Sequence, residues 1–267
     1  MHIDEYLSVA QSLKDQPNNT MTVSKEWSQG RTVYGGLSAG ILYAAAKVYV
    51  DSARVLRSMT TNFVGPLLSE KAFEVSVEVV RAGKNVSQLQ ARAIQDGKIC
   101  VVSQFCFAEN RSSKIEVPNT ETHGLSIPIK GNFIPQIPKV TPKFLRHFDL
   151  SIQDGGIPFS GKKNSHYYGW MRFKKPPLTI TDAHIVSLID AWPPTLLQML
   201  KWPAPASTVS WNLEFIHPHR ELSPTDWFAY KADTRQAANG YGHTEATIWD
   251  IHGEVIAISR QTVAIFD

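Results

Sequence analysis

The stretches "IQDGKICVVSQFCF" (94–107) and "DIHGEVIAISRQTVAIF" (250–266) decide the fold. Gly97 matches Gly253 and Ser103 matches Ser259, both 156 positions apart. A second pair, "NFVGPL" (62–67) and "EFIHPH" (214–219), repeats Phe-x-x-Pro at an offset of 152. Self-similarity at a fixed period marks a repeated supersecondary unit. The chain therefore reads as two halves of one plan. One longer hairpin loop would account for the four-residue drift between the offsets.

Working outward, the first half runs strand, helix, then four strands. "MTVSKEW" reads as a strand. "GGLSAGILYAAAKVYV" places Leu37, Ile41, Leu42, Ala45, Val48 and Tyr49 at helical spacing. "RSMTTNFVGPL", "AFEVSVEVVRAG", "VSQLQARAIQ" and "KICVVSQFCFA" alternate and are rich in β-branched residues. Phe73, Val75, Val77 and Val79 alternate with polar residues, as in a half-buried antiparallel strand. Asp96-Gly97 suits a tight hairpin turn.

The second half repeats that order. "HYYGWMRF" is strand-like. "TDAHIVSLIDAWPPTLLQML" is helical, with Thr181 as the expected N-cap. "STVSWNLEFIHP", "DWFAYKADTRQ", "YGHTEATIWD" and "EVIAISRQTVAIF" follow as strands, and His252-Gly253 takes the hairpin place of Asp96-Gly97. The stretch from about 110 to 165 is rich in Pro, Gly, Asn and Ser and reads as a surface linker. The expected division is residues 1–110, a linker over 111–165, and 166–267. Each half is an α+β unit, one long helix against an antiparallel sheet, and the two sheets are expected to join edge to edge, which hides exposed strand edges.

Composition narrows the function. Of 267 residues, 43% are apolar and 19% charged, enough to bury a core. The net charge of +3 comes without a long basic run, so no nucleic-acid partner is expected. No apolar run nears the roughly 20 residues that span a bilayer, and the N-terminal stretch carries acids, unlike a signal peptide. Cys100 and Cys106 lack metal or redox spacing and read as buried small hydrophobes. These features favour a cytoplasmic protein without membrane contact.

The segments "GRTVYGGLSAGILYAAA", "RSMTTNFVGP", "VVRAGKNVSQLQARAIQDGK", "LIDAWPPTLL", "ASTVSWNLEFIHP" and "IWDIHGEVIAISRQTVAIFD" resemble the acyl-CoA thioesterase superfamily with the hotdog fold. Among its members the chain looks like the tandem, or double-hotdog, type II branch. The resemblance implies hydrolysis of fatty acyl-CoA without a metal or other cofactor, by an Asp from the central helix, a Thr or Ser from the next strand and a Gln from the last. Here those positions are matched by Asp190, Thr208 and Gln261. Ser210, two residues beyond Thr208 and on the same face of a regular strand, leaves open which hydroxyl serves. The residues after Asp190, Trp192-Pro193-Pro194, depart from the family's usual sequence.

Thioester hydrolysis needs a water, a base to take its proton and donors for the oxyanion. A carboxylate, a hydroxyl and an amide supply these groups. Pro193 and Pro194 disfavour a regular helix, and a kink there would turn Asp190 toward a cleft. The alternative is that Asp190 caps a segment starting near Trp192. Shifting by the repeat offsets, the first half has Leu56 for Thr208, Phe105 for Gln261 and "VYGGLS" around the place of Asp190. It therefore lacks a polar triad, Gln104 lies one position off on the other face, and one site per chain is expected.

Gly35 and Gly36 open the first helix and suit either substrate contact or close helix packing. By the resemblance, Arg81 and Lys84 in "RAGKN" stand where hotdog thioesterases meet CoA phosphates; a plain hairpin turn is the alternative. His217-Pro218-His219 reads as a strand end, His243 and Glu245, on one strand face, as cross-strand contacts rather than catalytic groups, and the seven Trp as core and pocket lining. The competing function is a hotdog module that binds acyl-CoA or an acyl carrier without hydrolysis. A hydratase is disfavoured because no Asp-x-Asn-x-x-His-like segment occurs. Hotdog units commonly assemble, so a dimer is expected.

Overall fold

The computed structural model describes residues 1–16, 18–138 and 140–266. In chain order the elements are α1 (Ile3–Ser12), β1 (Thr20–Met21), β2 (Ser28–Gln29), β3 (Thr32–Val33), α2 (Gly35–Lys47), β4 (Val55–Phe63), β5 (Phe73–Ala82), β6 (Val86–Gln95) and β7 (Lys98–Ala108). Then come β8 (Phe148–Gly155), β9 (His166–Phe173), α3 (Asp182–Ile189), β10 (Ala206–Phe215), β11 (Phe228–Ala238), β12 (Tyr241–Trp249) and β13 (Val255–Ile265). The chain clusters into two compact units. The first holds Met1–Pro118, Pro142–Phe144 and Pro177–Ser187; the second holds Asn119–Thr141, Leu145–Pro176 and the chain from Leu188 onward. Among the described residues no helix is long and apolar enough to cross a membrane.

In the first unit the antiparallel strands run in the order β1-β5-β6-β7-β4. Helix α2 packs on β5, β6 and β7. It is buried nearly all round, from Gly36 to Ala46, as befits a helix without a polar face. Asp96 and Gly97 both adopt positive φ (52° and 71°), the two-residue turn that Asp-Gly favours. Gly40 is required by close approach: a Cβ there would lie 2.9 Å from the Ala183 carbonyl oxygen of α3 and run into the Ser187 hydroxyl. Tyr34 Oη donates to the Ser187 carbonyl at 2.7 Å.

Helix α1 is an element the sequence reading did not contain, although Ile3, Tyr6, Leu7 and Ala10 recur at helical spacing and are all buried. His2 and Glu5 form a capping box at its start. The expected strand at "MTVSKEW" is shorter than foreseen: only Thr20–Met21 pairs, with the start of β5, before a 3₁₀ turn at Lys25–Trp27.

In the second unit the order is β10-β13-β12-β11-β9-β8, again antiparallel throughout. Strand β8 lies inside the stretch read as linker. Its Phe148 and Leu150 are buried, and it pairs with β9 from Phe148↔Phe173 to Gly155↔Tyr167. The alternation is real, but neighbouring Pro and Gly concealed it.

The helix expected over 181–200 is also divided. It runs only from Asp182 to Ile189, and a 3₁₀ turn at Thr195–Gln198 follows the two prolines. Neither proline can donate a backbone hydrogen bond, and each excludes helical geometry from the residue before it. Thr181 precedes α3 and its carbonyl accepts from the Ile185 N–H, while its hydroxyl meets His184 Nδ1 at 2.8 Å. The strands of each unit are antiparallel throughout, and with α2 and α3 the chain is a tandem hotdog of the α+β class.

Candidate active site

The break after α3 leaves Asp190 one residue beyond the last helical turn and half-buried. It does not cap the turn that follows. That turn begins at Pro194 and has no side-chain cap. Asp190 instead faces β13: Gln261 Nε2 donates to Asp190 Oδ1 at 3.1 Å. On the other side of the amide, Thr208 Oγ1 donates to Gln261 Oε1 at 3.0 Å. The three side chains form one hydrogen-bonded line, hydroxyl to amide to carboxylate, drawn from β10, β13 and the end of α3. A carboxylate accepts only, so an ionised Asp190 fixes the amide with its NH₂ toward the acid and its oxygen toward the threonine. The second amide hydrogen of Gln261 has no acceptor among the described residues.

A bulge sets the threonine. The β10–β13 register runs Thr208↔Val263, then Ser210↔Thr262 and Trp211↔Gln261, so Val209 is an extra residue. Directly opposed residues share a face, so Thr208 lies on the face of Val263 and Gln261, whereas Ser210 shares the opposite face with Thr262. The expectation that Ser210 lies on the face of Thr208 is thus corrected: alternation holds only in a regular strand.

Beside Gln261 opens a crevice lined by Trp192, Pro193, Pro194, Thr195, Tyr230, Thr244, Ala246 and Ser259. Trp192 stacks on Tyr230 with centroids 5.3 Å apart and planes 4° from parallel. Burial raises the Tyr230 phenol, and the nearby Asp190 charge raises it further, so its hydroxyl stays protonated across the physiological range. Of these, Trp192, Pro193, Pro194 and Ser259 are named in the sequence analysis, Trp192 as expected core or pocket lining, whereas Thr195, Tyr230, Thr244 and Ala246 are not. The signal lay in the repeat, because Thr244 stands 155 positions after Leu89, in the same register place.

The other residues named from the sequence lie in the first unit. Gly36 is buried, and a Cβ there would stand 2.7 Å from the Ser187 carbonyl oxygen, so close packing by itself demands glycine. Gly35 is half-buried beside it. Arg81 is exposed near the end of β5, just past a bulge, and Lys84 is exposed in the following turn, where its carbonyl accepts from Arg54. Gln104 is exposed while Phe105 is buried, which keeps the amide off the inner face. His243 and Glu245 both make the expected cross-strand contacts: Glu245 is held by Arg235 of β11 and Arg260 of β13, and His243 lies 3.4 Å from Thr262 of β13. Six of the seven Trp are buried, but Trp202 is 82% exposed.

Fold and site together define a tandem-hotdog protein with a carboxylate–amide–hydroxyl line in its second half. Family models for the N-terminal and C-terminal domains of acyl-CoA thioesterases match residues 23–108 and 127–265, and the chain belongs to that family of enzymes. It is 24% identical to acyl-CoA thioesterase 2 of Haemophilus influenzae, over 86% of each chain. Among solved structures it is similar to a hotdog protein of unknown function from Alicyclobacillus acidocaldarius (TM-score 0.78, 20% identity, 93% and 92% of the two chains). It is also similar in fold to an acyl-CoA thioesterase II from Mycobacterium marinum (TM-score 0.71, 17% identity, 100% and 97%).

Proposed function

We propose that the chain hydrolyses acyl-CoA thioesters with a water activated by Asp190 and held by Thr208 and Gln261. The observation that carries this reading is the unbroken hydrogen-bonded line of those three side chains beside a crevice. Asp190 accepts a proton from the water as its oxygen attacks the thioester carbonyl carbon. The carbonyl electrons move to oxygen, and the uncommitted amide hydrogen of Gln261 supports that charge. Collapse of the tetrahedral species breaks the C–S bond. The thiolate takes the proton from Asp190, which yields free acid, CoA thiol and the starting carboxylate. A thioester is activated enough for direct attack, so no enzyme nucleophile is required.

The test is thiol release from a panel of acyl-CoAs by the whole chain and by Asp190→Asn. Asparagine keeps the shape but cannot accept the proton, and positioned bases contribute about 10²–10⁴ in rate. The expected result is a kcat loss of that size with acyl-CoA affinity retained. Turnover by the variant within about threefold of the parent would remove Asp190 from the mechanism. Tight acyl-CoA binding by the parent without release would instead mark a carrier.

A further inference from the structure

We infer that the crevice beside Gln261 receives an acyl group carrying an oxygen substituent, hydroxyl or keto, close to the thioester; this names a substrate class for the hydrolase reading above and rests on it. Across the sheet the inner-face register runs Gln261↔Thr244 between β13 and β12, and Thr244↔Thr234 between β12 and β11. Thr195, from the turn above the sheet, meets Thr234 at 2.7 Å and Thr244 at 3.4 Å, and Thr234 meets Ser165 at the end of the line. A row of hydroxyls therefore leads away from the amide.

The equivalent row in the first half, read from the same registers and the same β5 and β11 bulges, is Phe105, Leu89 and Val79. Those residues show what this framework carries when an inner face is simply apolar. Replacing all three by polar residues in one half makes that half's inner wall one for a polar guest.

Two groups in the crevice wall also wait for a partner. Trp192 Nε1–H is buried with no hydrogen-bond partner among the described residues. Ser259, 3% exposed, accepts from Trp211 Nε1 at 2.9 Å, and its own proton has no acceptor among the described residues. A buried donor without an acceptor is costly, and an oxygen on the ligand removes that cost. A plain alkyl chain would leave both donors unpaired.

The test uses S-butyl-CoA, S-(3-hydroxybutyl)-CoA and S-(3-oxobutyl)-CoA, thioethers that bind but cannot be hydrolysed. Calorimetry on the whole chain should give at least about tenfold tighter binding of an oxygenated analogue, the worth of one good hydrogen bond. Thr244→Val and Trp192→Phe should each shrink that ratio severalfold, and Thr244→Ser, which keeps the hydroxyl, should restore it. Equal or weaker binding of both oxygenated analogues by the parent overturns the inference. So does a ratio that both Thr244→Val and Trp192→Phe leave intact, or binding of none of the three. Thiol release from the matching thioesters is scored apart: its absence with the ratio intact defeats hydrolysis and supports the pocket chemistry.

Discussion

The first-half position Leu56 and the second-half position Thr208 occupy the same place in the same device. Each precedes a bulge residue, Arg57 or Val209, on the strand beside the last one of its half. Leu56 is fully buried, opposite Phe107, in the apolar setting of Phe105; Thr208 bonds to Gln261, which stands where Phe105 does. The helices complete the parallel. Counted from the first helical residue, Tyr43 of α2 stands where Asp190 stands after α3, and the Tyr43 ring meets Phe105 at 6.1 Å as Asp190 meets Gln261. The place of Asp190 in the first half is thus Tyr43 rather than "VYGGLS". One backbone plan holds a packed triad of Tyr, Leu and Phe in one half and a triad of Asp, Thr and Gln in the other. Backbone geometry is therefore neutral about chemistry, and three side chains decide it.

The comparison can be broken most sharply by making the second half like the first. Gln261→Phe removes the link between Thr208 and Asp190 while installing a ring that the sister half already accommodates. Thiol release should fall by at least about 10²-fold, the scale of one lost polar catalytic contact, with a cooperative melting transition retained. Activity within a few-fold of the parent would show that the line of hydrogen bonds is not the machinery.

The reverse change, Leu56→Thr, sharpens the same point as a stability effect. It removes buried hydrocarbon and sets a hydroxyl among apolar neighbours, at a cost of about 2–4 kcal/mol. For a chain of this size that corresponds to a melting temperature lower by about 5–10 °C. A drop of less than a degree would mean that the first-half triad is not packed as described.

The smallest expected effect concerns pH, and here the halves behave alike. Burial lowers His184 in the first unit and His123 in the second below the usual imidazole value. His184 lies 2.8 Å from Asp4 Oδ1, which favours its proton, but burial outweighs that attraction. Between the ordinary imidazole value of about 6.5 and the lower folded values, the unfolded chain binds more protons, so stability rises with pH in that window. Acidification from pH 7 to 5 should lower the melting temperature by a few degrees, and His184→Gln should flatten that slope. A melting temperature that rises on acidification would invert the assigned direction.

Much of this was legible in the residues. Duplication stood in the recurring Phe-x-x-Pro and Gly-Ser spacings, and the registers place β4, β5, β6 and β7 on β10, β11, β12 and β13. The drift, however, arises in two places. The β4–β5 and β10–β11 connections account for three residues, since Leu56 pairs with Thr208 at 152 and Val79 with Thr234 at 155; the last hairpin adds one, at Phe105 and Gln261. Asp190, Thr208 and Gln261 were nameable because the resemblance attaches to their local segments. Ser210 was misplaced because alternation carries no mark of an extra residue in a strand. Strand β8 was hidden because turn-forming residues flank it on both sides.

The residues alone determined two similar halves, the order of the central helix and the four strands that follow it in each, and a helix break at Pro193-Pro194, because periodicity, Asp-Gly turns and prolines act through the local backbone. Folding decided that a carboxylate, an amide and a hydroxyl from three separate elements meet, that a bulge turns Thr208 inward and Ser210 outward, and that hydroxyls line the wall beside them. Those facts depend on register and on contacts between segments distant in the chain, which no local pattern of side chains encodes.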